Sequence, residues 1–179
     1  VVYNVSAAQN ISNAHPSASG VNTIINNPNG VAIIGDNVIV GGDLTVTSGS
    51  INTDGAAPRL TVNGNVSLSS AGSDLNIGIN GGLVLNASVI ASGNFITVTS
   101  QSDLTINGSG NFGVFPFPSG PQTLRNFTLN RTAGSVEVND PLTVSNSAAL
   151  TAGTLVLHDD LTLGGTYSSG TGLLSADAT

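Results

Sequence analysis

Apolar and polar positions alternate along this chain in short, recurring triplets. Leu44-Thr45-Val46, Leu75-Asn76-Ile77, Leu104-Thr105-Ile106 and Leu161-Thr162-Leu163 each follow an aspartate: Asp43, Asp74, Asp103 and Asp160. Variants recur at Leu60-Thr61-Val62, Val66-Ser67-Leu68, Leu83-Val84-Leu85, Val136-Glu137-Val138, Leu142-Thr143-Val144 and Leu155-Val156-Leu157. Successive side chains of a strand point to opposite faces, so each triplet predicts a short strand with two residues on a core and one facing water. Strand starts come in close pairs, Val38 then Leu44, Leu60 then Val66, Val136 then Leu142, Leu155 then Leu161, and the pairs recur about every 19–22 residues. That period, with two or three strands in it, is the size of one coil of a solenoid. An array of hairpins is the competing arrangement, with Asn63-Gly64, Asn80-Gly81 and Asn107-Gly108 available for its tight turns. The steadiness of the period favours an all-β, parallel β-solenoid of about 7–8 coils.

Three regions depart from the repeat. Residues 1–30 fit it poorly and are read as an N-terminal cap or linker, and coils are expected over 31–110. Residues 111–122 gather Phe112, Phe115 and Phe117 with three prolines. Proline removes a ladder donor, so this stretch is expected to leave the coil as a loop excursion. Coils resume over 123–179, with a Ser/Gly-rich end. Glycines supply the positive φ that corners need. The leading aspartates are expected to accept local N–H groups in those corners, and stacked asparagines to form amide ladders between coils.

Composition narrows function mainly by exclusion. Charged residues make up 7% of the 179, and the net charge is −7. The cations are Arg59, Arg125 and Arg131, with no lysine, so phosphate neutralisation along a nucleic acid is not expected. No apolar run reaches the roughly 18 residues of a membrane-spanning helix. Cysteine, methionine and tryptophan are absent, which removes disulfides and thiolate zinc sites. The oxidation-resistant, Asn/Thr/Ser/Gly-rich composition suits an extracellular protein, and the missing initiator Met reads as a processed or excised start.

The segment Thr123 to Gly134, followed by Ser135-Val136-Glu137-Val138 and Leu142-Thr143-Val144 and then by Leu150 to Leu157, resembles the repeat modules of large secreted, adhesin-like surface proteins of Bacteroidota exported by the type IX pathway. The resemblance is clearest over 123–165. It implies an extracellular, surface-attached or filamentous role and brings no catalytic residues with it. The sorting domain usual in that group is not evident.

Candidate chemistry is sparse, and no catalytic, cofactor or metal residue is assigned. His158-Asp159-Asp160 is read as a solvated corner. Asp43, Asp74 and Asp103 would need the dense Gly-Gly-x-Gly-x-Asp repeat to hold Ca²⁺ between coils, and the chain lacks it. Polysaccharide hydrolysis needs paired carboxylates at set separations, and no such pair stands out, so an enzyme is not expected. Outward Thr45, Thr61, Thr105, Thr143 and Thr162 would, if stacked, give a flat threonine face suited to ice or a surface glycan. Phe112, Phe115 and Phe117 either plug the core or form an apolar knob for a partner. The reading is an extracellular structural or adhesive module that self-associates into a surface filament or stalk. The alternative is a ligand-binding solenoid for ice or glycan.

Overall fold

A computed structural model describes residues 1–55 and 57–176. The chain is an all-β parallel solenoid of about 8 turns with a period of about 21 residues and no helix. Each complete early coil supplies one strand to each of three faces. Val2–Tyr3, Thr23–Asn26, Leu44–Ser48, Val66–Leu68 and Val89–Ala91 stack as the first face. Gln9–Ile11, Val31–Ile34, Ile51–Asp54, Leu75–Ile77 and Ile96–Thr97 form the second. Asn37–Val40, Arg59–Val62, Gly82–Leu85 and Asp103–Ser109 begin the third. The close pairs Val38/Leu44 and Leu60/Val66 are a third-face strand and the next first-face strand joined around one tight corner, whereas Val136/Leu142 and Leu155/Leu161 span the corner after that, from the first face to the second.

Toward the C-terminus the corners smooth out and the strands run on. Leu142–Leu157 is a single strand that pairs in turn with Leu161–Leu163, Thr166–Ser169 and Leu173–Ala176, so it follows the next coil through all three of its segments. All of the pairings are parallel and mostly in register, as in Leu60↔Leu83↔Leu104↔Phe127. The triplets bury as their alternation requires. Leu44 and Val46, Leu83 and Leu85, and Leu104 and Ile106 are inside, while the residue between them is partly exposed. Leu161-Thr162-Leu163 differs. Its side chains are partly or fully exposed, because it lies on the last described coil.

Glycine is required in the corners for two separate reasons. At Gly49 the backbone has φ +71°, and an added Cβ would sit 1.9 Å from the Asn27 carbonyl oxygen. At Gly41 the need is room: a Cβ there would lie 1.9 Å from the carbonyl oxygen of Ala18.

Two of the expected departures lie within the stack. Val2–Tyr3 and Gln9–Ile11 pair in parallel with Thr23–Asn26 and Val31–Ile34, so residues 1–30 contain coil strands rather than a separate cap or linker. Their alternation is hard to see because His15 and Thr23 take buried positions usually held by aliphatic residues. The Phe/Pro stretch also keeps its ladder contacts instead of leaving the coil. Gly113–Val114 pairs with Val136 and Glu137, and the Pro116 carbonyl accepts from the Ile96 N–H at 2.8 Å. A proline can keep a place in the ladder when only its carbonyl is needed there. The last three residues of the expected 123–179 unit lie outside the described residues.

Candidate functional site

The repeat's polar side chains face the neighbouring coil, above or below. Asn22 Oδ1 accepts the Asp43 N–H at 2.8 Å, Asp43 Oδ1 accepts the Asn65 N–H at 2.7 Å, and Asn65 Oδ1 accepts the Ser88 N–H at 3.3 Å. Asp74 does the same at another corner, accepting the Phe95 N–H at 2.9 Å. Asp43 and Asp74 therefore satisfy corner donors of the next coil rather than of their own. The expected amide ladder is present. Asn107 Nδ2 donates to Asn86 Oδ1 at 2.8 Å, and Asn86 Nδ2 donates to Asn63 Oδ1 at 2.7 Å. A second ladder joins Asn76 to Asn52 at 2.7 Å.

Asp103 is the centre of the strongest polar cluster. Arg125 reaches it with Nε and Nη2, each at 2.8 Å, and Asn126 Nδ2 adds a bond at 2.7 Å. Arg59 approaches to 3.9 Å from two coils away, passing over Gly82, which holds the register position between them. Burial would raise the Asp103 carboxyl, but the hydrogen bonds from Arg125 and Asn126 and the charges of Arg125 and Arg59 outweigh it, holding it below the usual carboxylate range. Arg125 Nη1 also donates to Asn80 Oδ1 at 3.1 Å. This is a mutually satisfied ion cluster on the third face.

Arg131, invisible as a special residue in the sequence, is buried with 3% exposure. Its guanidinium donates to the carbonyls of Gly110 and Asn107, the latter at 2.7 Å, and lies 5.3 Å from the Phe112 ring centroid. Burial lowers its pKa. It staples the enlarged corner between the third face and the following first-face strand, where backbone carbonyls of successive coils converge.

Tyr3, His15 and Thr23 form the second unexpected group. Tyr3 Oη lies 2.9 Å from His15 Nδ1, and His15 Nε2 lies 2.9 Å from Thr23 Oγ1. The sequence offered one signal for it, a histidine in a long stretch without any ionisable neighbour but tyrosine.

The residues proposed from sequence do not converge. Phe112, Phe115 and Phe117 are all buried, with Phe112 stacked on Phe115 at a centroid distance of 5.7 Å and Phe117 tilted against Phe115 at 4.4 Å. They fill the core, so the surface-knob alternative is set aside. The five threonines occupy three faces. Thr45 is on the first, Thr61 and Thr105 are on the third with Val84 between them, and Thr143 and Thr162 stack with Thr123. No single threonine face results from them. Asp43, Asp74 and Asp103 likewise lead strands of three different faces and cannot bracket one ion. Among the described residues no three His, Asp or Glu side chains are grouped to hold a metal. His158 Nε2 lies 3.5 Å from Glu137 Oε2, while Asp140 Oδ1 caps the Gly120 N–H at 2.8 Å. A shallow cavity of about 280 Å³ lies at a wide corner, lined by Thr132, Gly134, Gly153, Thr154, Thr171 and Leu173 among others. It has no charged lining residue. No family model, no curated protein and no solved structure matches this chain in comparison.

Proposed function

We propose that this chain is an extracellular structural or adhesive module, a length of self-associating surface filament or stalk. The observation that carries the reading is the use of polar side chains along the solenoid axis. The Asn63–Asn86–Asn107 ladder and the Asn22, Asp43 and Asn65 corner bonds tie each coil to the next. Such columns add side-chain bonds to a continuous backbone ladder and resist separation of the coils, which is what a load-bearing rod needs. The extracellular part of the proposal rests on composition and on the Bacteroidota resemblance. Sedimentation and negative-stain electron microscopy of the purified chain test it. End-to-end assemblies are expected for a filament. A monodisperse monomer overturns self-association, and a low unfolding force in single-molecule pulling overturns the stalk as well.

A ligand-binding reading has one observation behind it. The third face carries an uncharged outward column, Ile39, Thr61, Val84, Thr105, Thr128, Ala149 and Ser168, alongside the amide ladder. Thermal hysteresis or glycan-array binding that disappears in a Thr105→Lys/Thr128→Lys variant would favour this reading over the structural one.

A further inference from the structure

His15 is 6% exposed, and both of its ring nitrogens are occupied by hydroxyls, those of Tyr3 and Thr23. Neutral imidazole has one donor and one acceptor, so one hydroxyl donates to the ring and the other accepts from it. Imidazolium has two donors, so protonation forces the donating hydroxyl to turn round and buries a positive charge. Nothing nearby offsets that charge. Residues 1–35 contain no Asp or Glu. The titratable groups that face the ring are the Tyr3 phenol and the Val1 ammonium, which donates to the Asn22 carbonyl at 2.6 Å. Asp43, whose backbone carbonyl accepts from Thr23, turns its carboxylate toward Asn65 in the next coil. Burial lowers the His15 pKa, and the ammonium adds to the effect.

The three residues also sit at a seam. Tyr3 is on the strand Val2–Tyr3, Thr23 is on the strand Thr23–Asn26 that pairs with it, and His15 is in the segment between them. Few other side-chain bonds cross the seam: Asn27 Nδ2 donates to the Ala7 carbonyl at 2.8 Å and to Gln9 Oε1 at 3.2 Å, and Asn26 and Asn29 make outer contacts to Asn4 and Ser6. Beneath it lie Ile25 and Ile33, both fully buried.

We propose that Tyr3, His15 and Thr23 form an acid-sensitive latch that fastens residues 1–20 to the solenoid and releases them when His15 takes up a proton. Release bares the edges of Thr23–Asn26 and Val31–Ile34 together with Ile25 and Ile33. If the filament reading is right, those edges become sites for coil addition, so association would strengthen in mild acid. That second consequence rests on the proposed function, while the latch itself does not.

Hydrogen exchange on the 179-residue chain at pH 7.5 and pH 5.0, corrected for intrinsic rates, tests the latch alongside an NMR titration of its two histidines. Protection over residues 1–20 is expected to fall between pH 7.5 and pH 5.0, by an amount that grows as the folded His15 pKa lies further below its unfolded value and reaches at most about 30-fold at pH 5.0. Protection over 59–106 should be unchanged, and the loss should begin near the unfolded histidine value of about 6.5 and level off where folded His15 titrates. His15→Gln, whose amide can donate and accept without taking a charge, should keep 1–20 protected at pH 5.0, and His158→Gln should behave as wild type. If His15→Gln is already open at pH 7.5, the coincidence in the wild-type chain between the His15 titration and the pH at which the loss levels off carries the test. Retained wild-type protection at pH 5.0 with His15 protonated overturns the latch. Loss that persists in a His15→Gln chain closed at pH 7.5 overturns it equally. Sedimentation at the two pH values separates the consequences: opening without association keeps the latch and overturns filament growth from this edge.

Discussion

Arg125 grips the Asp103 carboxylate from the next coil with two parallel bonds, Nε to Oδ1 and Nη2 to Oδ2, both at 2.8 Å. The pair ties adjacent third-face strands, and Arg59 on the far side extends the hold across a further coil. Asp103→Asn is expected to cost about 1–2 kcal/mol, since a partly buried, bidentate, charge-assisted contact is worth more than an exposed ion pair. The pH dependence follows from the depressed carboxyl pKa. Its stabilisation is present above the unfolded value of about 3.8–3.9 and is lost as pH falls through the lower folded value. Acid unfolding of wild type and Asp103→Asn, followed by far-UV circular dichroism, should converge at the acid end.

Arg131 should matter more, because its guanidinium is buried and binds the carbonyls of Gly110, Asn107 and Ala87 at once. Arg131→Met leaves the Asn107 and Gly110 carbonyls of this corner without their guanidinium donors. A loss of about 2–4 kcal/mol is expected in denaturant unfolding. Arg131→Lys should recover only part of it, since a lysine cannot reproduce the planar fork of donors.

The amide ladder predicts a smaller effect with a definite pattern. Asn86 bonds to Asn63 on one side and Asn107 on the other. Asn86→Ala is expected to cost about 1 kcal/mol. Asn63→Ala and Asn107→Ala each remove one of those bonds and should cost less, with non-additive coupling in the double variants.

Two substitutions should stabilise the chain. Ala133 has φ +53°, a left-handed conformation that a Cβ disfavours. Ala133→Gly should gain up to about 1 kcal/mol, the relief of left-handed strain exceeding the extra entropy of the unfolded chain. Thr53 Oγ1 is buried without a hydrogen-bond partner. Thr53→Val keeps the shape, removes the unsatisfied hydroxyl and should raise stability by about 1 kcal/mol. A fall in melting temperature in either variant would count against the local geometry described above.

The sequence carried the solenoid through its triplets because alternation is a local property, and Leu44/Val46 or Leu104/Ile106 announce burial by spacing alone. It also carried the stacked asparagines, whose ladders follow once equivalent positions are placed one coil apart. The first coil was hidden because Tyr3, His15 and Thr23 satisfy one another's polarity in a place where apolar residues were sought. Phe112, Phe115 and Phe117 were ambiguous, since an aromatic cluster beside prolines has the same signature inside a coil as on an excursion.

The repeat phrase thus determined the strands, their inward and outward sides and the coil period. Which face each strand joined was decided only in three dimensions. Corners vary in length, so residues with identical local phrases, such as Thr45, Thr61 and Thr143, land on different sides of the rod. The same holds for charge. Arg59, Asp103 and Arg125 are far apart in sequence, and nothing local marks them as partners. They meet because stacking brings equivalent corners within hydrogen-bonding distance, and that register is set by the summed packing of every coil between them.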